Sequence, residues 1–370
     1  MIKLKNKLGI SIYPELLKFE EIVSYLELAS KYSFDLLFIN FIGVIEKKDQ
    51  SLLKKYKETI IEAKKRNYTV TIDVNKSTFD TANINYKNPD LKYFYELGIN
   101  CLRLDDQFNG FFEANLTYNP YNIKIELNPS TFNAQIENII SYGANKQNLQ
   151  ALHNFYPQKY SGLDYELFKK YNLKIKSMGI NIGAFVTITD HKSYGPWDVS
   201  ENLPTLEMHR FLEIGMQVNH LLSNDYASYI YISTQCANIN DFESILRHFD
   251  FKKHFKINLI NGVTEQEKRI LAFNNHFIRG DLSQNILRST ITRVEFKDMD
   301  IKPRKFKGDI IPIGSIVIPN NSYNRYKGEL QIVKQEIKND GLRNVVGSLQ
   351  DKYLFLINEI HPWNYFKLIF

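Results

Sequence analysis

Eight short apolar runs, each separated from the next by a longer stretch, occupy the first two thirds of the chain and restrict its fold more than any other feature. They are Leu8–Tyr13, Phe34–Phe41, Tyr68–Val74, Ile99–Asp105, Ile123–Asn128, Leu149–Phe155, Ile180–Thr187 and Tyr229–Ser233. Each is rich in β-branched or aromatic residues and short enough for a strand. Most of the intervening stretches place apolar residues at helical spacing. Examples are Ile22, Tyr25, Leu26 and Ala29; Phe132, Ile136, Ile139 and Ile140; and Met208, Phe211, Gly215, Val218 and Leu222. Ser161 with Asp164 reads as a capping box opening the helix after the sixth strand. Gln107–Tyr121 lacks a helix pattern and reads as a loop with one turn. Eight strands alternating with helices over about 240 residues predict a (β/α)8 (TIM) barrel. The main rival is a doubly wound open sheet. Against it, the turn after the first strand reads Tyr13-Pro14-Glu15 and holds no Gly-rich phosphate fingerprint.

The pattern changes near residue 240. Helices are expected at Asn240–Phe249 and near Glu265–Phe273, with a strand at Phe255–Ile260 between them. Closely spaced strand-like runs follow at Thr290–Phe296, Ile310–Ile318, Glu329–Glu336, Asn344–Leu349, Tyr353–Ile357 and Tyr365–Ile369. Turn residues such as Asn339-Asp340-Gly341 separate them. The expected organisation is a barrel domain over 1–245 and a small closed or nearly closed β-barrel over 250–370. A chain of 370 residues suits two domains.

Composition narrows the function classes. The net charge of +6 comes from lysines spread along the chain, whereas nucleic-acid binders gather theirs on one face, so no nucleic-acid partner is expected. Two cysteines, Cys101 and Cys236, exclude a disulfide scaffold and fit a reducing, cytoplasmic compartment. Met1 to Gly9 has lysines without an apolar segment after them, unlike a secretory signal. No stretch reaches the roughly 18 apolar residues of a membrane span, so no membrane partner is expected either.

In a (β/α)8 barrel, chemistry sits at the C-terminal strand ends. Those ends carry Glu15, Asn40, Asp73 with Asn75, Arg103 with Asp105 and Asp106, Glu126 with Asn128, and His153 with Asn154 and Tyr156. Thr187, Thr189, Ser233 and Gln235 complete the ring. Side chains alternate between the interior and the helix layer, and the alternation alone leaves open which member of each pair points inward. A pocket with several carboxylates suits acid/base cleavage of a glycosidic bond. Asp73, Asp105 and Glu126 have the chemistry to hold Mg²⁺, but His153 has no second His at ligand spacing; no metal and no cofactor is expected. The first 200 residues hold only Arg66 and Arg103, and the later concentration of arginines, among them Arg210, Arg279, Arg288, Arg293 and Arg325, fits either a phosphate site or surface ion pairs.

Several segments, in order, resemble the MupG-like 6-phospho-N-acetylmuramidases. They are Leu8-Gly9-Ile10-Ser11-Ile12-Tyr13-Pro14-Glu15, Leu102-Arg103-Leu104-Asp105, Ile125-Glu126-Leu127-Asn128, His153-Asn154-Phe155-Tyr156-Pro157, Leu203-Pro204-Thr205-Leu206-Glu207-Met208-His209-Arg210, Arg288-Ser289-Thr290 and Tyr323-Asn324-Arg325-Tyr326-Lys327-Gly328-Glu329-Leu330-Gln331. The resemblance implies a TIM barrel with a C-terminal cyclophilin-like β-domain. It also implies hydrolysis of 6-phosphorylated N-acetylmuramic acid disaccharides in cell-wall recycling. Carried over, it makes Asp105, Glu126, Asn128 and His153 sugar-site residues. It places Glu207, His209 and Arg210 over the mouth, and lets Arg325 and Tyr326 reach in from the second domain. The chain departs from the family pattern at Gln107, Asn202 and Asn324, where Gly is usual.

The leading expectation is therefore a glycosidase acting on a phosphorylated sugar. Asp105 and Glu126 are its carboxylate pair, and Glu15 and Asp73 count among the substrate-binding residues. The alternative is a non-catalytic phosphosugar-binding protein using the same pocket; either is compatible with a homo-oligomer. A prolyl-isomerase role for the β-domain has only likeness of fold behind it, which does not transfer activity.

Overall fold

The computed structural model describes residues 7–42, 44, 49–131, 134–189, 195–196 and 201–370. The chain divides into two compact units, Met1–Phe249 and Asp250–Phe370.

The first unit is a (β/α)8 barrel. Its strands are β1 (Lys7–Ile12), β2 (Leu36–Ile39), β3 (Thr69–Val74), β4 (Cys101–Leu104), β5 (Lys124–Leu127), β6 (Leu149–Leu152), β7 (Asn181–Val186) and β8 (Tyr229–Ile232). They pair in sequence order, all parallel, and β8 closes onto β1. Seven lie inside the runs expected from sequence, and β1 begins one residue before its run, at Lys7.

Strand alternation sorts the side chains into two separate apolar clusters. One set, with Ile10, Ile12, Leu37, Ile39, Val70 and Ile72, packs outward against helix residues such as Ile22, Leu26 and Ile60. The other set, Leu36, Phe38, Leu152, Phe185, Tyr229 and Tyr231, fills the barrel. Two glycines make room for the tyrosines. A Cβ on Gly9 would lie 2.4 Å from the Tyr231 ring, and one on Gly183 would lie 2.3 Å from the Tyr229 ring. The interior is thus a packed plug and not a pore, as small barrels require.

The helix at Phe19–Lys31 buries the expected face of Ile22, Tyr25, Leu26 and Ala29. Three local expectations are corrected. Asp164, not Ser161, caps the helix Tyr165–Ser177, its side chain accepting from Leu167 N; Ser161 instead donates to Gln158 O. Within 107–121 a helix forms at Phe111–Leu116, too short to show a period; Glu113 ties down its entry by accepting from Phe108 N and Gly110 N. The apolar series from Met208 to Leu222 is not one helix: a 3-10 turn, Glu207–His209, precedes the helix Ile214–Ser223, and Phe211 between them is exposed. Phe132 lies outside the described residues.

The second unit holds a seven-stranded mixed sheet. Its strands are β9 (Lys253–Leu259), β10 (His276–Phe277), β11 (Ile286–Ser289), β13 (Ser315–Pro319), β14 (Leu330–Val333), β16 (Arg343–Leu349) and β17 (Tyr365–Ile369); β12 (Ile310–Ile311) and β15 (Ile337–Lys338) pair separately. The order is β10-β17-β9-β16-β13-β14-β11, with β9 and β17 parallel. The sheet nearly closes on itself. Between its two end strands, Arg279 N, just after β10, donates to Arg288 O of β11 at 3.2 Å, and His276 Nδ1 meets Ser289 Oγ at 3.0 Å.

Two expected strands are not strands. The β-branched run Thr290–Phe296 contains a short helix, Ile291–Glu295, because the pairing residues are the preceding Ile286–Ser289. Tyr353–Ile357 lies in a 3-10 helix, Asp351–Glu359, whose buried Tyr353, Leu356 and Ile357 follow helical spacing. The run Ile310–Ile318 is broken by Pro312 and by Gly314, whose φ of +81° suits glycine. Both cysteines are free, and no described helix is long and apolar enough to cross a membrane.

Candidate active site

Each end of the barrel opens on a cavity, and their chemistry differs. The one of about 680 Å³ at the N-terminal end is lined by lysines, amides, hydroxyls and Cys101 among others, with no carboxylate among the described residues. The one of about 580 Å³ at the C-terminal end gathers Glu15, Asp73 and Asp105 around Arg103, with Asn40 and Asn154 beside them. Only the latter has paired groups able to give and take protons.

The inward side chains explain this grouping. Asp73 and Arg103 are partners in register on β3 and β4, and Arg103 pairs in turn with Glu126 on β5. Asp105 is two residues beyond Arg103, hence on the same face and nearer the opening. Apolar walls come from Phe38, Phe155 and Phe185, and Tyr56 enters from the helix Gln50–Lys65.

Asp73 is buried, and its Oδ1 accepts the backbone N–H of Phe41 at 2.6 Å. Burial pushes its pKa up to about 7; the Phe41 N–H and the Arg103 guanidinium oppose the rise, and the Asp105 carboxylate adds to it. Arg103 Nη1 stands 3.7 Å from Asp105 Oδ1, and Nη2 donates to Asn154 Oδ1. The Asp105 side chain is 50% exposed. Glu15 Oε2 accepts the hydroxyl of Tyr56 at 2.5 Å; burial and that carboxylate raise the phenol pKa, so Tyr56 remains a neutral donor.

Several residues expected at the sugar site lie elsewhere. Glu126 points inward but sits deeper, fully buried and apart from the cavity lining. Its Oε2 accepts from Gln150 Nε2 at 2.6 Å and from Tyr229 Oη at 2.7 Å, and burial raises its pKa. The expectation that it faces Asp105 across one opening is therefore revised, as is the Mg²⁺ trio that included it; among the described residues no three His, Cys, Asp or Glu side chains form such a group. Asn128 folds back to accept from Ser130 N and lines a small recess beside Asp105.

His153 alternates with inward Asn154 and so points into the helix layer. Its Nδ1 meets Ser130 Oγ at 3.1 Å and its Nε2 meets Asn172 Oδ1 at 2.8 Å. Burial lowers its pKa to about 4, leaving the ring neutral.

Glu207, His209 and Arg210 build scaffold instead of lining the cavity. The fully buried Arg210 grips Glu207 through Nε at 2.7 Å and Nη2 at 2.6 Å. Its Nη1 donates to the carbonyls of Tyr156, Glu201 and Asn202. Glu207 also accepts from Tyr160 N and Gly162 N, and Arg210 holds its pKa down to about 2. His209 Nε2 meets His220 Nδ1 at 2.8 Å, out of contact with solvent.

In the second unit, Arg325 is exposed at the end of the turn Asn321–Tyr326, and the Tyr326 ring lies under the Arg293 guanidinium. Asn202 and Asn324, which stand where the family pattern has Gly, both have positive φ, +68° and +21°. Asn tolerates left-handed backbone better than most residues, which fits Asn202, whereas the ψ of −89° at Asn324 lies outside that region.

Arg103 and Asn154, expected as strand-end residues but not as substrate-binding ones, line the cavity together with Tyr56 and the phenylalanine walls. The signal for Arg103 was its parity with Asp105 on one strand; the direction of Asn154 was left open by alternation alone, and Tyr56 left no signal, since it comes from a helix.

Family models described as 6-phospho-N-acetylmuramidase, N-terminal, and 6-phospho-N-acetylmuramidase, C-terminal, match residues 8–247 and 253–369. No curated protein sequence matches the chain. Among solved structures, an uncharacterized B. cereus protein is 36% identical over 99% of both chains with a TM-score of 0.87. A conserved Enterococcus faecalis protein of unknown function is 23% identical over 98% of this chain and 96% of its own, with a TM-score of 0.70, and shares the fold. With both halves matched and the barrel's acidic mouth in place, the chain belongs to the 6-phospho-N-acetylmuramidase family.

Proposed function

We propose that this chain is a glycosidase that hydrolyses glycosides of 6-phosphorylated N-acetylmuramic acid, with Asp73 as general acid and Asp105 as its carboxylate partner. The single observation behind this assignment is a buried carboxyl, Asp73, held protonated up to about pH 7 within electrostatic reach of a half-exposed carboxylate. A buried carboxyl that resists ionisation beside a second, solvent-facing carboxyl is a recurrent apparatus of glycoside cleavage. Protonated Asp73 gives its proton to the departing glycosidic oxygen. Asp105, on the Arg103 guanidinium, acts on the anomeric carbon, directly or through water. Phe38, Phe155 and Phe185 offer apolar faces to the sugar rings, and a volume of about 580 Å³ lies within the range of small-ligand sites. The family match supports the phosphorylated muramyl substrate, and such a substrate fits a place in cell-wall recycling. The two free thiols support a reducing, cytoplasmic setting.

The test is incubation with phosphorylated and unphosphorylated muramyl disaccharides, followed by mass spectrometry. Cleavage of the phosphorylated compound, lost by about 10²- to 10⁴-fold in Asp73→Asn, is the expected result. Saturable binding without product, unchanged in Asp73→Asn and Asp105→Asn, would replace the glycosidase with a phosphosugar-binding protein.

A further inference from the structure

The ladder between β6 and β7 does not end in the ordinary way. Leu152 pairs with Gly183, and His153 N still donates to Gly183 O. One step further, where Asn154 would face Phe185, the hydroxyl of Thr205 stands between the strands. It accepts from Phe185 N at 2.9 Å and donates to Asn154 O at 2.9 Å. Thr205 N in turn donates to Phe185 O at 3.1 Å. A side-chain hydroxyl thus bridges the two backbones just past the point where the direct ladder ends.

The two residues so held, Asn154 and Phe185, both line the cavity of about 580 Å³. Asn154 Oδ1 takes Arg103 Nη2, and Arg103 faces Asp105. Thr205 is buried and is not itself among the residues that line the cavity. Its segment is fastened on both sides. Tyr156 N donates to Pro204 O, Leu163 N to Thr205 O and Leu203 N to Thr187 Oγ1. The Glu207–Arg210 pair then locks the segment to the loop after β6.

We propose that Thr205 is a positioning residue: its hydroxyl, wedged between the ends of β6 and β7, sets the width of the mouth and the placement of Asn154, and through Asn154 that of Arg103. This inference rests on the reading of the C-terminal cavity as the site of glycoside cleavage. Threonine is the fitting residue, since it supplies a donor and an acceptor on one atom and fills the buried space with its methyl group. Valine has the same shape and neither function.

The experiment compares Thr205→Val and Thr205→Ser with the wild type in steady-state hydrolysis of a 6-phosphorylated muramyl disaccharide, in thermal unfolding, and in hydrogen exchange of the Phe185 amide. The expected result for Thr205→Val is a fall in kcat of tenfold or more in protein that remains folded, with a smaller change in KM. Its pH profile should also shift, because Arg103 is one of the charges acting on Asp73. Thr205→Ser should restore kcat to within about threefold, and slow exchange at Phe185 with it. A kcat in Thr205→Val equal to that of the wild type, or a loss that Thr205→Ser fails to restore although it restores slow exchange, overturns the proposal. If the wild type shows no hydrolysis, it is the glycosidase reading that fails. The positioning role then stands or falls on equilibrium binding of the same phosphorylated disaccharide: a tenfold weakening in Thr205→Val, restored by Thr205→Ser, sustains it, and unchanged binding overturns it.

Discussion

Asp73 and Arg103 share one rung of the β3–β4 ladder, so a carboxyl that resists ionisation and the guanidinium that faces Asp105 rise side by side from the barrel floor. That adjacency decides how the site should respond to pH. If Asp73 is the acid, turnover requires its protonated form. The profile of kcat/KM should fall with an alkaline limb near pH 7, set by the pKa of about 7. Arg103→Met removes a charge that favours the carboxylate, so that limb should move to higher pH. A limb that stays in place would mean another group titrates.

The same carboxyl carries a stability cost. Its folded pKa of about 7 lies above the ordinary value of 3.8, so between these values the folded chain holds a proton that the unfolded chain has released. Stability therefore declines as pH rises from about 4 to about 7, by an amount on the order of a few kcal/mol. Asp73→Asn cannot ionise and should remove this decline. Denaturant unfolding at pH 8 should find the variant more stable than the wild type, and activity assays should find it nearly dead.

Glu126 separates depth from function. It lies among Gln150 and Tyr229 below the cavity, and burial already favours its neutral form. Glu126→Gln keeps an acceptor for both donors and should leave kcat within about tenfold of the wild type, a smaller loss than removal of a general acid brings. A loss as large as that of Asp73→Asn would return Glu126 to the chemistry.

The Glu207–Arg210 pair should be costly to break from one side. Arg210 is fully buried and makes five hydrogen bonds, to Glu207 and three carbonyls. Glu207→Gln leaves the buried Arg210 guanidinium without its counter-charge and should destabilise by about 3–5 kcal/mol. Chemical denaturation measures this directly.

Two enclosed histidines in the barrel unit contribute to its acid limit. His153 and His209 have folded pKa values of about 4 and about 3, below the ordinary 6.5, because burial disfavours their charged forms. The unfolded chain binds protons first as pH falls below about 6.5, so stability should drop from there down towards pH 4. His153→Gln should flatten the upper part of that slope in a series of thermal melts, if the variant folds.

The sequence alone determined the barrel, because eight strands with β-branched outward faces and helices of fitting period leave few other ways to bury apolar surface. It also identified the acidic strand ends, since polar residues there interrupt otherwise apolar runs. Only the tertiary structure decided depth and direction. Glu126 and Asp105 look alike in sequence, yet closure of the barrel with its stagger sets one in the plug and the other at the rim. His153 and Asn154 are neighbours, and strand parity turned the less conspicuous of the two inward. In the second unit, Thr290–Phe296 and Tyr353–Ile357 had strand composition but no partner edge, and a strand exists only where another backbone meets it. Local preference is written in neighbouring residues; register, depth and pairing arise between segments far apart in the chain.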